Sequence, residues 1–247
     1  MSQSALPTVQ MFWHGAPLSR MERLSMASFL AHGHPLDLYV YDEPLAVPAG
    51  VRLLEAQQLV SRNLLFRTRR TGSLAPFADW FRYRLLLERG GLWADAEQVN
   101  NAVLGMPAGH PLAAWMSAIC EFPNRILPYD GLGARLRKWR RRALHRDRRE
   151  RLPWGELGPK GLTRAARHLG YLEQARPQRD FYPVPCQAWR VLFEDSVQSR
   201  SLSLADSYCV HLWNEMTRRQ RDFQRDGSFA PDSPFEQLCR RYLGGRA

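Results

Sequence analysis

The pattern of apolar and polar positions predicts strands that alternate with helices along the chain. Short apolar runs of the kind buried in a parallel sheet are found near 8–13, 36–41, 92–95 and 208–213. Apolar residues at helical spacing are found near 18–31, 74–89, 109–120, 159–169 and 233–242. Because this alternation is typical of βαβ units, we expect an α/β fold with a mostly parallel sheet flanked by helices.

The most informative segment is 77–97, which reads FADWFRYRLLLERGGLWADAE. Its first part is predicted to be a helix that Ser73 caps. The glycines at 90–91 provide a left-handed exit, and the apolar residues 92–94 read as a strand buried on both faces. Asp95 then falls at the carboxyl end of that strand, which is where open α/β sheets bind ligands.

The charged residues of this segment leave two interpretations open. Asp79 and Arg82 are three residues apart and are therefore neighbours on one helix face. On spacing alone they form either an exposed ion pair beside a surface turn or part of a binding site. Asp95 and Glu97 offer two carboxylates, the ligands that hard divalent cations prefer, although acidic pairs also occur in ordinary turns.

Composition is that of a globular protein with a substantial core. The chain has 247 residues, of which 45% are hydrophobic. No apolar run approaches the ~20 residues that span a bilayer, and the first residues do not read as a signal peptide, so we expect a cytoplasmic protein. Its four cysteines are scattered, which favours free thiols over a disulfide scaffold or a zinc site.

The net charge of +11 comes largely from arginines between Arg135 and Arg151. A solvated helix face is the first interpretation of such a run. Attraction to an anionic membrane, with Trp139 as an interfacial anchor, is the second. Nucleic acid ranks third, because no recognition module accompanies the basic stripe.

The order of residues in the segment 77–97 resembles the DXD-containing, sugar-binding glycosyltransferases of family 32, which include capsular-polysaccharide enzymes and clostridial-toxin glucosyltransferases. The matching residues are Ala78, Asp79, Arg82, Tyr83, Leu86, Gly90, Gly91, Trp93, Asp95 and Glu97. Further blocks agree at 9–15, 33–42, 100–103, 158–163 and 206–214. The resemblance covers about 9–242.

This resemblance implies a fold and a reaction. The fold would be a GT-A-type α/β domain over 1–247, with a basic variable insertion at about 122–155. The reaction would be a metal-dependent, retaining transfer from a UDP- or GDP-sugar, with UDP preferred, to a glycan or a lipid-linked saccharide. Such an enzyme would work in the cytoplasm, with peripheral association at the inner face of the membrane through Arg135 to Arg151.

The resemblance also implies roles for individual residues. Asp95, Glu97 and His211 would hold Mn²⁺ or Mg²⁺. Asp79 and Arg82 would bind the sugar hydroxyls and the phosphate of the donor. The remaining contacts to nucleobase, sugar and diphosphate would come from Trp13, Asn100, Asn101 and Lys160. For His211 and Trp13 the competing interpretation is simple packing in the core.

One departure from the family pattern leaves the second metal ligand unassigned. Here residues 96–99 alone separate Asp95 from Asn100, where the family has a longer segment. Glu97 is therefore either the second metal ligand or part of the segment that precedes Asn100. Two alternatives follow: a degenerate member that binds a sugar nucleotide or glycan without turnover, and a basic protein that binds membranes or nucleic acid.

Overall fold

The fold is built on a five-stranded sheet. The computed structural model describes residues 6–15, 17–41, 46–95, 103–145, 149–152, 155–218, 220 and 222–244. The strands are β1 (Val9–Trp13), β2 (Leu36–Val40), β3 (Val51–Glu55), β4 (Gly91–Ala94) and β5 (Val103–Met106), and their order in the sheet is β3-β2-β1-β4-β5. Strands β1, β2 and β3 pair in parallel, with Val9 opposite Leu36 and Leu36 opposite Val51.

Helices follow β1, β3 and β5 along the chain. They are α1 (Arg20–Ala31), α2 (Ala75–Arg89), α3 (Pro111–Glu121), α4 (Leu132–His145), α5 (Pro159–His168), α6 (Val197–Arg200), α7 (Asn214–Arg218) and α8 (Pro234–Tyr242). The predicted α/β class with a mostly parallel sheet is confirmed, and the GT-A type stays a prediction. The five predicted helices and the first three predicted strands are found within about two residues of their expected bounds.

The predicted strand at 208–213 is wrong. This segment forms no strand, and Trp213 has a φ of 53°. A left-handed residue cannot continue a strand, so the chain turns there and α7 begins at Asn214. Strands β3 and β5 were not predicted: β3 is only partly buried, and Arg52 and Glu55 interrupt its apolar pattern.

The chain divides into two compact units. The first comprises Met1–Glu55, Trp93–Val103 and Arg176–Ala247, and the second comprises Ala56–Leu92 and Leu104–Ala175. The expectation of one domain with an insertion at about 122–155 stays a prediction. In the part of the chain that the structure describes, no helix is long and apolar enough to cross a membrane.

In the first unit, the core forms where α1 meets the C-terminal part of the chain. Met21 and Leu24 of α1 contribute to a cluster with Val184, Trp189, Leu192, Phe193, Trp213, Phe235 and Cys239. Four phenylalanine rings pack within this region, with Phe193 5.1 Å from Phe235 between ring centroids. Apolar burial therefore fixes α1 against the segment that follows 176.

A buried carboxylate holds the same helix in place. Ser19 and Glu22 form a capping box at the start of α1, and the Ser19 N–H donates to Glu22 at 2.7 Å. Glu22 is fully buried, and it also accepts from the Asn214 side-chain amide at 3.0 Å and from Arg225. These donors compensate the buried charge, so Glu22 has a structural role at the junction of α1 and α7.

In the second unit, α2 packs on α3 and α3 packs on α5. The predicted left-handed exit of α2 is confirmed, since Gly90 has a φ of 64°. A Cβ at Gly90 would lie 2.4 Å from the Ala108 nitrogen, so only glycine fits. The predicted cap is shifted: α2 follows Leu74, and the Ser73 hydroxyl accepts from the Ala75 N–H at 3.2 Å.

Candidate functional site

Asp79 and Arg82 form a buried ion pair on α2, in the second unit. Arg82 Nη1 lies 3.3 Å from Asp79 Oδ1, and the two residues are 1% and 7% exposed. The interpretation of an exposed pair beside a surface turn is therefore wrong. Because buried charges are costly unless compensated, this pair is a constrained feature of the second unit.

The Asp79 carboxylate also lies against the start of α5. A Cβ at Gly158, the residue before α5, would stand 3.1 Å from Asp79 Oδ2. One turn further along α2, the Tyr83 hydroxyl donates to the Leu157 carbonyl at 3.1 Å. A carboxylate near a helix N-terminus is favoured by the helix dipole, so α2 and the Gly158 turn are held together by packing and charge.

The Gly158 turn presents Lys160 to solvent. Lys160 is exposed in the first turn of α5, and α5 itself begins with Pro159. The geometry therefore joins two blocks that are far apart in sequence, the one around Asp79 and the one that reads GPK. Lys160 of the GPK block remains exposed, where an anion can reach its ammonium group.

An aromatic and thiol environment surrounds the ion pair. Burial raises the pKa of the Cys120 thiol well above its ordinary value, and Asp79 adds to the effect. The Arg149 guanidinium lies 4.2 Å from the centre of the Trp80 ring, and partial burial lowers the pKa of Arg149. Sequence reasoning missed this use of Arg149, which it had included in a solvated basic run.

Asp95 directly follows β4 and belongs to the first unit. Its Oδ1 accepts from the indole N–H of Trp93 at 2.6 Å. Trp93 is among the largest fully buried side chains, so the indole that orients the carboxylate is itself fixed by packing. This charge-assisted bond was not predicted, although a tryptophan two residues from an acid on a short strand is a visible signal.

His211, also in the first unit, is held between aromatic rings. Its ring centroid lies 5.3 Å from Tyr182 and 4.5 Å from Trp213. The backbone N–H of Trp213 donates to His211 Nδ1 at 3.0 Å. A neutral imidazole that accepts at Nδ1 carries its proton on Nε2, so in this arrangement the ring offers no lone pair to a metal.

Trp213 is the strained residue of this group. It combines a left-handed φ of 53° with almost complete burial, and its indole donates to the Val184 carbonyl at 2.9 Å. A bulky residue with positive φ persists only where its surroundings over-determine it, and such strain clusters at functional sites. Packing and the indole bond supply that constraint here.

Trp13 ends β1 and is 6% exposed. The structure therefore shows it packed in the core of the first unit, with little ring surface available to a nucleobase. His14 and Tyr41 follow the parallel strands β1 and β2 at one edge of the sheet, with ring centroids 5.9 Å apart. Sequence reasoning missed this pair, which the rule that ligands bind at strand carboxyl ends would have identified.

The structure describes only part of the predicted metal site. Glu97, Asn100 and Asn101 lie outside the described residues. Within the described ranges, no group of three or more His, Cys, Asp or Glu side chains is arranged to hold a metal ion. Asp95 thus stands as one well-oriented carboxylate, and the metal site stays a prediction.

Comparison with known proteins identifies a family region in the C-terminal part of the chain. Residues 150–243 match the alpha 1,4-glycosyltransferase conserved region. This match includes the GPK turn, His211 and Trp213, whereas Asp79 and Asp95 lie before it.

Mammalian enzymes are among the most similar curated proteins. Lactosylceramide 4-alpha-galactosyltransferase of Rattus norvegicus is 34% identical over 77 residues, which cover 26% of this chain and 21% of that protein. The Homo sapiens enzyme of the same name is 34% identical over 80 residues, covering 28% of this chain and 23% of that protein. The chain therefore spans about a quarter or less of the length of these two relatives.

Among solved structures, the PaToxG glycosyltransferase is 12% identical, with a TM-score of 0.35 over 69% of this chain and 81% of that one. The likeness to glycosyltransferases comes from the conserved region at residues 150–243 and from the mammalian relatives. The C-terminal part of the chain is therefore similar to alpha 1,4-glycosyltransferases.

Proposed function

We propose that this protein transfers a hexose from a nucleotide diphosphate to a hydroxyl of a saccharide. The observation that carries the proposal is the match of residues 150–243 to the alpha 1,4-glycosyltransferase conserved region, together with 34% identity to a lactosylceramide 4-alpha-galactosyltransferase. Galactose is accordingly the first donor sugar to test, and UDP is preferred over GDP as its carrier.

The proposed reaction breaks one bond and forms another. The bond between the anomeric carbon and the β-phosphate oxygen breaks, and the nucleoside diphosphate leaves with the electron pair. The acceptor oxygen bonds to the anomeric carbon and loses its proton. Since UDP-galactose is α-linked, an α product would mean net retention. Most of the barrier would be lowered by stabilising the diphosphate as negative charge develops on it.

Asp95 is the residue we propose for the metal. Its carboxylate oxygen is a ligand suited to Mn²⁺ or Mg²⁺, and the Trp93 indole already holds it in one orientation. A bound cation would neutralise charge on the departing diphosphate. Glu97 is the proposed second carboxylate, and Asn100 and Asn101 are proposed contacts to the sugar. His211 would join only after giving up the hydrogen bond from Trp213.

For Asp79 and Arg82 we propose a positioning role as well as the predicted contact to the donor. Their buried pair sets the place of Gly158 at the start of α5. Lys160, exposed in the first turn of that helix, would then provide a cation for the diphosphate. Trp13 is proposed to support the nucleotide from its buried position at the end of β1.

The proposed acceptor is a lipid-linked saccharide at the cytoplasmic face of a membrane. Two observations support this proposal. The mammalian relatives are named for a glycolipid, and the chain carries a net charge of +11, which suits an anionic surface.

A donor panel tests the proposed function. The protein is incubated with UDP-galactose, UDP-glucose, UDP-N-acetylglucosamine and GDP-mannose, with Mn²⁺ or with EDTA, and release of the nucleoside diphosphate is measured with and without lactose-terminated glycolipid. We expect Mn²⁺-dependent release from one UDP-sugar, increased by the acceptor. Binding of a donor without release would identify a degenerate member, and neither binding nor release would contradict the proposal.

A further inference from the structure

Helix α4 presents an apolar stripe to solvent. Leu132, Leu136, Trp139 and Ala143 follow one another at helical spacing and therefore share one face. Leu132, Leu136 and Trp139 are 87%, 59% and 63% exposed, and Ala143 is also exposed. Large apolar side chains grouped in this way on a surface usually mark a site of interaction.

The opposite face of α4 is fixed to the second unit. Lys138 is buried, and its ammonium lies 2.7 Å from Asp130 and donates to the Arg125 carbonyl at 3.0 Å. Arg141 pairs with Glu156 at 2.8 Å. These contacts set the rotation of the helix about its axis, so the apolar stripe cannot turn inward without breaking a buried ion pair.

Exposed arginines border the stripe on both sides. Arg140 lies on one flank, and Arg135 and Arg142 lie on the other. The structure thus divides the basic run that the sequence treated as one feature. Lys138 is used internally, whereas these three arginines border an apolar surface.

An apolar cavity of about 300 Å³ lies beside this helix. It is lined by Ile119, Ile126 and Leu127 among others, and Arg125 and Arg135 contribute the basic part of its wall. Ile126 is itself 51% exposed. Apolar surface next to arginine therefore continues from α4 onto the loop that precedes it.

From these features we infer that the stripe of α4 is a docking surface for a bilayer that contains anionic lipid. Leucine and tryptophan side chains would enter the boundary between headgroups and acyl chains, while the flanking arginines would lie at the phosphates. A nucleic acid would use the arginines but would leave Leu132 and Leu136 in water, so charge and apolar character together favour a lipid surface. The inference rests on the proposed function in one respect only: docking on a bilayer would give the protein access to a lipid-linked acceptor.

Vesicle co-sedimentation without donor or acceptor tests the inference separately from transfer. The vesicles contain either phosphatidylcholine alone or phosphatidylcholine with phosphatidylglycerol. We expect the parent chain to bind the anionic vesicles at least about ten-fold more tightly than the neutral ones. The double variant Leu136→Ser/Trp139→Ser and the double variant Arg140→Gln/Arg142→Gln should each lose most of this binding.

Two controls keep the result interpretable. Val197→Ser removes an apolar side chain that is 83% exposed in the first unit, and it should bind vesicles as the parent does. Unchanged circular dichroism and Tm would show that the α4 variants fold. Parent-like binding by Leu136→Ser/Trp139→Ser would overturn the inference, as would equal affinity for neutral vesicles or binding to nucleic acid in place of vesicles.

Discussion

The carboxylate of Asp79 lies against Gly158, with its Oδ2 3.1 Å from the place that a Cβ on residue 158 would occupy. This contact relates α2 to the first turn of α5, although the two positions are 79 residues apart in sequence. It gives a physical reason why a glycine, rather than a serine or aspartate, precedes α5: a larger side chain would displace the buried ion pair.

Gly158→Ala should destabilise the protein by about 1–3 kcal/mol, because the new methyl group would press on the Asp79 carboxylate. Denaturant unfolding measures the change. Gly131→Ala is a matched control, since Gly131 also directly precedes a helix but has open space around its Cβ position. In an Asp79→Ala background the effect of Gly158→Ala should shrink. Equal losses of unfolding free energy in both backgrounds would contradict a steric contact between residue 158 and the Asp79 carboxylate.

Asp79→Ala should itself cost about 3–5 kcal/mol of unfolding free energy, because it leaves the Arg82 guanidinium buried without its carboxylate. The control is Glu88→Ala on the same helix, which removes the partner of an exposed i,i+4 pair with Arg84. That change should cost less than about 0.5 kcal/mol. Similar losses for the two variants would contradict the buried character of the Asp79 pair.

Local signals explain which parts of the fold the sequence predicts. The bounds of α2, its glycine exit and β4 follow from spacing and from backbone freedom, and all lie within a short stretch. The burial of Asp79 does not follow from such local signals, because it depends on Gly158 far along the chain. At 208–213 the apolar residues reflect packing in the first unit, and the left-handed Trp213 replaces a strand with a turn.

Local sequence signals also predict only part of the candidate site. Asp95 and its place after β4 were predictable from the strand and the glycines before it. The hydrogen-bonded state of His211 was not, since it depends on the backbone direction at Trp213. The stripe on α4 was concealed because its leucines alternate with arginines in sequence and separate from them only on the helix surface.

Trp93→Phe should weaken metal-dependent donor binding by about 10–100-fold while leaving the fold intact, because it removes the indole that orients Asp95. Isothermal titration with a UDP-sugar and Mn²⁺ measures the effect. Trp189→Phe is the matched control, as Trp189 is equally buried in the first unit but packs against Phe193 and Phe223. Parent-like donor binding by Trp93→Phe would contradict this role of the indole.

Stability should fall at acidic pH partly through Glu236. The hydrogen bond from Arg20, at 2.8 Å, lowers the pKa of Glu236 in the folded state. A lowered folded pKa contributes stability above the unfolded value, near pH ~4, and that contribution is lost as pH falls through the folded pKa. Glu236→Gln should therefore lower Tm at pH 7, and this difference should shrink as the pH falls through the folded pKa of Glu236. A constant difference in Tm across that range would contradict the linkage.

The most direct test of the central claim is donor binding by Asp95→Asn. The substitution keeps the shape of the side chain but removes its charge, so we predict that it abolishes Mn²⁺-dependent binding and hydrolysis of the preferred UDP-sugar without lowering Tm appreciably. Asp232→Asn, at an exposed aspartate of the first unit, should behave as the parent. Parent-like binding and hydrolysis by Asp95→Asn would contradict the assignment of the metal and diphosphate site to the end of β4.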